Sequence, residues 1–597
     1  MTAGGYFGQA LVVDATAGSA RILPLPDQVL RAYLGGVGLG AWLLHTLAPP
    51  GVDPLAPAAP LAFVFSPLVG TSLTTSAKFA VVAKSPLTGM LTDALASSHF
   101  AIAGKLTGYD AIAVRGARRE LSVLLVDGDG ARFEPAADLT GLSAADAAGR
   151  LRERLGRGWR VGAIGPAGER GVRYATISHD GRHAGRGGLG AVLGAKGIKA
   201  VAVRAAERKV PPADPETVLA AARDLRARSF GPATAKYREL GTLANLLAFN
   251  AIATLPTRNF QAASFEEAPR LAAEDLAELR KVARNSCASC TIGCEHIYAA
   301  RGGKKMRVEY ENVFALGPMC GVGDPDAVLA ASARCDELGI DTITAGGTIA
   351  WAMECAERGL IDAPWLRFGA ADALLRALDE IGARTGLGDL LAEGSRRAAE
   401  RVGGGSAAFA LHVKGLEMPG YEPRSLHAMA LGLAVNARGA DHNRSGAYEA
   451  DLSGDLDRLD GGAAHVAAAV ETEDRAAVMD SMILCKFLRG VFTDPFAEWA
   501  GLLAAVTGWD LTGDELRHTA RRIVLAKRLF NLREGWQPAD DWLPQRLLSE
   551  PLELASGRVA ALTPGRLRTM IDGYYTARGL DSQGRPDLAE LADLHLG

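Results

Sequence analysis

The pattern of hydrophobic and polar positions divides the chain near residue 208. Before that point lie short apolar runs bounded by glycine, proline, aspartate and serine, at residues 9–14, 61–66, 78–83, 121–126 and 200–204. Runs of this length and composition predict β-strands. After that point, apolar residues recur at helical spacing. Asp214 and Asp324 each precede a proline and predict the N-caps of two of these helices.

These patterns predict an α+β protein with three domains. We expect a β-rich N-terminal domain at residues 1–207, followed by two mostly helical domains at 208–405 and 406–597. The second boundary is placed within the glycine-rich stretch at residues 403–406, which is followed by an apolar run that begins at Phe409.

Composition excludes several classes of protein. The 597 residues carry 65 Lys and Arg against 68 Asp and Glu, so there is no excess of positive charge to bind nucleic acid. Seven cysteines are too few for a disulfide scaffold. No apolar stretch approaches the ~18 residues that a membrane span needs, and residues 1–25 lack the pattern of a secretion signal. We therefore expect a cytoplasmic protein.

Three closely spaced cysteines form the clearest chemical motif. Cys287, Cys290 and Cys294 have C-x2-C-x3-C spacing, and Gly293 allows the chain to turn back between them. Soft thiolates select zinc or iron–sulfur clusters. A structural zinc site is one interpretation, but zinc ribbons usually supply a second CxxC pair, which this chain lacks. The spacing is also the reverse of the radical-SAM order. An iron–sulfur cubane is favoured, with a fourth ligand from elsewhere.

Two acidic turns resemble one another along the chain. The first runs from Asp336 through Gly339 to Asp341, and Gly339 is typical of a helix that ends in a left-handed residue. The second begins at Asp480, and Cys485 stands where the first turn has its final acid. This comparison makes Cys485 the candidate fourth cluster ligand. The acids could accept paired hydrogen bonds from a guanidine-like ring edge; alternatively, these are two ordinary helix ends.

Glycines and basic residues combine in a candidate phosphate loop. Glycine makes up about 12% of the chain (70 of 597) against a usual ~7%. Arg182, Gly185 and Arg186 belong to a run in which glycine admits an anion and arginine donates to it. Lys78 and the hydroxyls at residues 72–76 could meet a second phosphate. No Walker or Rossmann motif is present, so a phosphorylated cofactor other than a nucleotide is favoured over a solvated surface turn.

Many separate segments, in order, resemble the tungsten-containing aldehyde ferredoxin oxidoreductases. The resemblance runs nearly from end to end of the chain. Besides the Arg182 loop, the three-cysteine run and the second acidic turn, the matching segments are residues 34–40, 84–89, 108–110, 309–311, 317–318, 414–419, 421–424, 438–442, 532–534 and 543–546.

The resemblance implies a metal held by two pterins beside a 4Fe–4S cluster. The β-rich domain would form a base under the pterins, and the two helical domains would cover them, so that the cofactor is buried between the domains. The residues that match the family's sites are then, for the cluster, Cys287, Cys290, Cys294 and Cys485; for the pterins and their phosphates, Lys78, Leu95, Arg182, His183, Gly185, Arg186, Asp336, Asp341 and Asp480; and for proton transfer near the metal, Glu311 and His442.

The chain also departs from the family pattern. Lys78 stands where arginine is common, which keeps the charge but loses the two-pronged donor. Residues 95–98 replace an Asn-Ser-Gly-Gly segment, although magnesium joined to the pterin phosphates through backbone carbonyls, including that of Leu95, would tolerate the change. Ile483 replaces a glycine, so we expect a different backbone at the second turn. Ala330 and Ala333 occupy the positions of an iron-binding E-x-x-H pair, so any oligomer is predicted to lack a bridging iron.

The activity implied by the resemblance is oxidation of an aldehyde to a carboxylic acid with water. Tungsten or molybdenum would serve, and electrons would pass through the cluster to ferredoxin or a ferredoxin-like partner subunit. Nucleic-acid and membrane partners are not expected. Two alternatives remain open at this stage: a relative that reduces an acyl- or aromatic-CoA substrate within a larger complex, and a non-catalytic electron-transfer subunit whose pterin site has decayed.

Overall fold

The computed structural model of the chain describes residues 3–587 and 594–596. Its N-terminal part is built from short strands whose buried sides are rich in Val, Ala, Leu and Phe. These strands are β1 (Gln9–Asp14), β2 (Ser19–Pro24), β3 (Leu61–Val64), β4 (Lys78–Lys84), β5 (Leu91–Ser97), β6 (Ala111–Arg115), β7 (Ser122–Asp127), β8 (Gly130–Pro135), β9 (Trp159–Ile164), β10 (Ile177–His179), β11 (Arg182–Ala184) and β12 (Ile198–Arg204).

The strands form two six-stranded mixed sheets. The first has the order β2-β1-β6-β3-β4-β5 and the second the order β11-β10-β9-β12-β7-β8. An apolar layer between them includes Phe63 and Val81 of the first sheet and Leu124 and Val201 of the second. Small two- and three-stranded sheets follow later in the chain, namely β13 (Lys281–Asn285), β14 (Glu295–Ala299), β15 (Lys305–Arg307), β16 (His412–Val413), β17 (Leu416–Glu417), β18 (Leu552–Glu553) and β19 (Val559–Ala560).

Helices dominate after residue 214. Those of the N-terminal part are α1 (Asp27–Tyr33), α2 (Gly36–Leu47), α3 (His99–Lys105), α4 (Ala144–Leu155), α5 (Pro166–Glu169) and α6 (Leu189–Ala195). Those of the middle part are α7 (Pro215–Arg228), α8 (Pro232–Glu239), α9 (Asn245–Ala251), α10 (Ala273–Arg280), α11 (Tyr310–Leu316), α12 (Pro325–Leu338), α13 (Thr342–Glu357), α14 (Ala371–Ala383), α15 (Leu387–Leu391) and α16 (Ser395–Val402).

The C-terminal part continues the helical arrangement. Its helices are α17 (His427–Val435), α18 (His442–Ser445), α19 (Tyr448–Leu452), α20 (Ala463–Met482), α21 (Pro495–Thr507), α22 (Gly513–Arg533), α23 (Gln545–Ser549) and α24 (Pro564–Arg578). Among the helices of the described residues, none has both the length and the apolar character needed to cross a bilayer.

The predicted fold class is confirmed. The apolar run at residues 9–14 is β1, and the side chains of Asp214 and Asp324 accept hydrogen bonds from the first turns of α7 and α12. A β-rich region is followed by helices, as the hydrophobic pattern predicts. The limits proposed for the three domains remain a prediction, and their outer ends at residues 1 and 597 lie outside the described residues.

A close backbone approach joins the N-terminal domain to the end of α20. Gly36 has a φ of 42°, and a Cβ added to it would lie 2.3 Å from the carbonyl oxygen of Asp480. The backbone N–H of Gly38 donates to Oγ of Ser481 over 3.0 Å. Only glycine fits at this distance, because any side chain would push the two segments apart. The contact fixes the second acidic turn against the N-terminal domain.

Candidate active site

One cavity of about 410 Å³ lies where the N-terminal sheets meet the helical regions. Segments from all three parts of the chain line its wall. Every residue that the sequence singles out for a site contributes to that wall: Lys78, Leu95, Arg182, His183, Gly185, Arg186, Cys287, Cys290, Cys294, Glu311, Asp336, Asp341, His442, Asp480 and Cys485.

The N-terminal domain holds the three-cysteine loop in place. The backbone N–H of Thr75 donates to the carbonyl of Ser289 over 2.7 Å, and the N–H of Thr291 donates to Oγ1 of Thr74 over 3.1 Å. Gly293 takes the left-handed conformation expected of it, with φ of 66°. Of the hydroxyls at residues 72–76, that of Thr74 is therefore bonded to the cysteine loop, and the phosphate role expected for this segment stays a prediction.

Cys485 is brought to the same place by a separate contact. Its backbone N–H donates to Oγ1 of Thr75 over 3.3 Å, so one threonine touches both halves of the cysteine set. All seven cysteines of the chain are free thiols. Cys320, Cys335 and Cys355 are buried elsewhere in the helical core, whereas the four cysteines of the cavity are partly accessible.

The four thiols stand in a buried, cationic environment. Burial raises the pKa of Cys287, and it raises the pKa of Cys290 to about 11. The positive charges of Arg182 and Lys78 act in the opposite direction on Cys287. Within the described residues, no three His, Cys, Asp or Glu side chains converge on a single ion.

The first acidic turn presents its two carboxylates from adjoining helices. Helix α12 ends at Gly339, which is left-handed with φ of 75°. Oδ1 of Asp336 lies 3.1 Å from Nε2 of His183. Burial alone would raise the pKa of Asp336, but the nearby His183 has the opposite effect, and the pKa is lowered. Asp341 caps α13, accepting from the hydroxyl of Thr344 over 2.6 Å. The helix ends therefore hold both acids at the cavity wall.

The second acidic turn has the same backbone as the first. Ile483 is left-handed with φ of 65° and ψ of 41°, close to the 75° and 51° of Gly339. The expectation of a different backbone at this position was wrong. Because the side chain of Ile483 is fully buried, packing holds a β-branched residue in a conformation that it rarely adopts.

Asp480 is placed between two cations at the end of α20. Its Oδ1 lies 3.1 Å from Nζ of Lys486, and its Oδ2 lies 3.3 Å from the Arg444 guanidinium. Oδ2 nevertheless has no hydrogen-bond partner within the described residues. A buried acceptor without a partner is costly, so this oxygen is available for a donor of a bound group.

The two arginines of the glycine-basic loop are both bonded to protein acceptors. Arg182 donates to Glu295 over 2.8 Å and to Glu309 over 3.2 Å. Arg186 donates to the carbonyls of Ala440 and Glu417 over 2.7 and 2.5 Å. Each guanidinium therefore has a fixed orientation at the cavity wall.

Glu311 and His442 meet at the opposite side of the cavity. Oε1 of Glu311 lies 3.4 Å from Nδ1 of His442, while Oε2 accepts from the N–H of Gly420 over 3.0 Å. Burial raises the pKa of Glu311 to about 8 and lowers the pKa of His442 to about 3. The amide of Asn443 lies 2.9 Å from Nε2 and fixes the imidazole from its other side. The arrangement can hold and move one proton.

Comparison with known proteins identifies the family. Residues 10–205 match the family model described as aldehyde ferredoxin oxidoreductase, N-terminal domain, and residues 220–596 match the one described as aldehyde ferredoxin oxidoreductase, domains 2 and 3. The chain belongs to the aldehyde ferredoxin oxidoreductase family. It is thus an oxidoreductase, and the sequence-based recognition is confirmed.

Several relatives of this oxidoreductase match over nearly its whole length. The tungsten-containing aldehyde ferredoxin oxidoreductase of Pyrococcus furiosus is 34% identical, with 99% of each chain covered. The protein of the same name from Thermococcus kodakarensis is also 34% identical, with 97% of each chain covered. The WOR-like subunit of an aliphatic sulfonate oxidoreductase from Pyrococcus furiosus is 28% identical, covering 99% of this chain and 97% of that one.

The fold is shared with a solved structure of a different enzyme. The active-site complex of benzoyl-coenzyme A reductase with a bound dienoyl-CoA superposes with a TM-score of 0.85 at 23% identity, covering 100% of this chain and 98% of that one. At this identity the likeness concerns the fold alone.

Sequence reasoning missed Asp441 and Arg444, which line the cavity of this family member, and Asp93, which pairs with Arg444. Burial alone would raise the pKa of Asp441, but Arg438 and Arg444 lower it, and Arg438 donates to it over 2.8 Å. Arg444 also pairs with Asp93, which Lys527 approaches to 3.1 Å. Asp441 could have been found from the sequence, because it lies within the segment at residues 438–442 that resembles the family. Asp93 and Lys527 carry no local motif.

Proposed function

We propose that this oxidoreductase converts an aldehyde to a carboxylic acid with water at a bis-pterin centre containing tungsten or molybdenum. The overall reaction takes one aldehyde and one water to one carboxylic acid, two protons and two electrons. The electrons leave through a 4Fe–4S cluster to ferredoxin or a ferredoxin-like partner subunit. Two relatives that match over nearly the whole chain are named as tungsten-containing aldehyde ferredoxin oxidoreductases, which supports this assignment.

The residues of the cavity fit a pterin cofactor. Asp336, Asp341 and Asp480 supply carboxylate acceptors suited to the amino and ring N–H groups of pterins. Oδ2 of Asp480 lies 3.3 Å from the Arg444 guanidinium but accepts no hydrogen bond within the described residues, and it would accept one from a bound ring. Lys78 and Arg186 supply positive charge for the phosphates. These residues would hold the cofactor, and backbone carbonyls near Leu95 would hold magnesium between the phosphates.

The cysteines fit a cubane cluster. Cys287, Cys290, Cys294 and Cys485 line the same cavity as the acids and supply the four thiolates that a 4Fe–4S cluster needs. The chain has no second CxxC pair of the kind that zinc ribbons use, which favours a cluster over zinc. Arg182 and Lys78 would balance part of the negative charge of the cluster and its thiolates.

The chain's own residues would handle the proton. When bound, the metal centre would accept two electrons from the aldehyde and polarise its carbonyl. The carboxylate of Glu311 takes a proton at Oε1 as water adds to the carbonyl carbon. His442, whose pKa is lowered to about 3, does not keep that proton. Because the amide of Asn443 donates to Nε2, the N–H of the neutral imidazole is at Nδ1, where it faces Oε1 of Glu311 and orients the carboxyl group.

The observation that carries the proposal is the meeting of the four cysteines, the three aspartates and the Glu311–His442 pair around one cavity. Anaerobically purified protein should reduce benzyl viologen when an aldehyde is added. If only CoA thioesters support electron transfer, the aldehyde assignment fails and a CoA-dependent activity replaces it. The shared fold of benzoyl-coenzyme A reductase makes that comparison necessary. If neither substrate supports transfer in metal-loaded protein, the chain is a non-catalytic subunit.

A further inference from the structure

The cysteine loop lies directly beneath an exposed segment of the surface. Every residue from Val282 to Ser286 is exposed, and so is Ser289 within the loop itself. This segment is the edge strand β13 and its continuation into Cys287. On this side of the molecule, the residues next to the cysteines in the chain are therefore exposed to solvent.

Three basic residues lie on or next to this exposed segment: Arg238, Lys281 and Arg284. The Arg284 guanidinium donates to the carbonyl of Arg238 over 3.2 Å, and its Nε lies 3.4 Å from the place where a Cβ of Gly293 would be. Nζ of Lys281 donates to the carbonyl of Glu239 over 2.8 Å. These contacts link β13, α8 and the cysteine loop into one continuous surface.

The positive charge of these three residues is not neutralised by ion pairs. Within the described part of the chain, Arg238, Lys281 and Arg284 form no salt bridge with an acid. Burial and then the nearby charge of Arg284 lower the pKa of Lys281, as expected where positive charge accumulates. Other basic residues of the same region do have partners: Arg280 pairs with Asp326, Lys304 with Glu337, and Arg307 with Glu295.

Two exposed apolar side chains lie on the same surface. Val282 is 48% exposed and Phe230 is 50% exposed, and the ring of Phe230 lies 5.8 Å from the guanidinium carbon of Arg238. Apolar groups within a charged rim are typical of transient protein interfaces. We refer to Phe230, Arg238, Lys281, Val282 and Arg284 as the basic face.

We propose that the basic face is the docking surface for a small acidic one-electron carrier protein of the ferredoxin type. The inference rests on the proposed function, because it takes the cysteine loop as the exit point for electrons. Each aldehyde oxidised yields two electrons and reduces two carrier molecules by one electron each. Unpaired positive charge steers an acidic partner to this surface, and Val282 and Phe230 supply apolar contact once it arrives.

The test compares two electron acceptors on the holoenzyme. Steady-state aldehyde oxidation is measured with benzyl viologen and with a purified acidic ferredoxin, at low and at high ionic strength. The double variant Lys281→Glu/Arg284→Glu is compared with Arg157→Glu, which reverses an exposed charge in the loop between α4 and β9. Binding of oxidised ferredoxin is measured separately by titration calorimetry, which needs no turnover.

The double variant should lower kcat/KM for ferredoxin, and weaken ferredoxin binding, by about tenfold or more at low salt. Its viologen rate should stay within twofold of the wild type, and its dependence on salt should be weaker. Arg157→Glu should match the wild type in every assay. Unchanged ferredoxin binding in the double variant, or an equal loss with both acceptors, would overturn the proposal. Failure of aldehyde oxidation in wild-type protein would overturn the proposed function, while calorimetry would still decide the docking surface.

Discussion

Oε1 of Glu311 lies 3.4 Å from Nδ1 of His442, and neither atom has a hydrogen-bond partner within the described residues. Burial acts on the two groups in opposite directions. It raises the pKa of the acid to about 8 and lowers the pKa of the base to about 3. At neutral pH the carboxyl group of Glu311 is therefore protonated and the imidazole of His442 is neutral. Their contact places the two residues to act together in the proposed proton transfer.

This pair predicts how activity depends on pH. A raised pKa means that Glu311 is protonated at neutral pH and becomes a carboxylate, able to accept a proton, as the pH rises through about 8. We expect kcat/KM for aldehyde oxidation to rise across that range. Glu311→Gln should lower kcat by about 10²- to 10⁴-fold and abolish the rise. The measurement is a pH–rate profile with a dye as electron acceptor.

The control for this prediction is Glu309→Gln, which removes a carboxylate from the same cavity wall two residues away. It should keep the increase in rate near pH 8. Two results would contradict the assignment. One is a wild-type rate that stays flat from about pH 6.5 to about 9.5, the range around the raised pKa of a buried acid. The other is an unchanged rate in the Glu311→Gln enzyme.

Cluster assembly should depend on Cys485 and not on a buried cysteine. We expect Cys485→Ala to lose most of the about four iron atoms that a 4Fe–4S cluster brings, together with the reduced-cluster signal in electron paramagnetic resonance. Cys355→Ala removes a buried thiol that is not among the four cysteines of the cavity. This variant should keep both the iron and the resonance signal. Equal iron content in the two variants would show that Cys485 is not a ligand.

The cofactor content should depend on Asp480. Asp480→Asn replaces one carboxylate oxygen by an NH2 group, which donates and cannot accept. Oδ2 of Asp480 accepts no hydrogen bond within the described residues. We expect tungsten or molybdenum to fall at least severalfold relative to protein, because a bound ring would lose a charge-assisted hydrogen bond of about 1.5–3 kcal/mol. Elemental analysis together with circular dichroism, which reports the fold, checks this. Full metal occupancy in a folded variant would contradict the pterin role.

The left-handed conformation of Ile483 gives a prediction about stability. Ile483→Gly relieves a backbone strain of about 1–2 kcal/mol, but it also removes a fully buried side chain. Loss of such a side chain costs about 2–5 kcal/mol or more. The cavity effect is the larger, so Tm should fall. A rise in Tm by scanning calorimetry would show that strain outweighs packing at this turn.

Local sequence patterns predicted the fold where one segment determines its own conformation. The apolar run of β1 and the caps of α7 and α12 are of this kind, since the interactions that form them lie within a few residues. Strand β5 was not predicted, because it contains a buried Asp93. Its charge is balanced by Arg444 and Lys527, which lie 351 and 434 residues away. No local sequence pattern predicts an ion-pair partner so far away along the chain.

The candidate site shows the same division. Two sequence patterns identified residues that line one cavity. These are the spacing of Cys287, Cys290 and Cys294 and the repetition of the acidic turn. The conformation of Ile483 was not predictable from its residue type. It follows from tight packing against the N-terminal domain at Gly36, where an added Cβ would come within 2.8 Å of the Ile483 side chain. Long-range packing decides what residue preference leaves open.

The most direct test of the account is the metal content of anaerobically purified protein. Elemental analysis should find about one tungsten or molybdenum and about four iron atoms per chain. Iron without tungsten or molybdenum would contradict the central claim and leave an electron-transfer subunit whose acidic turns no longer bind a cofactor.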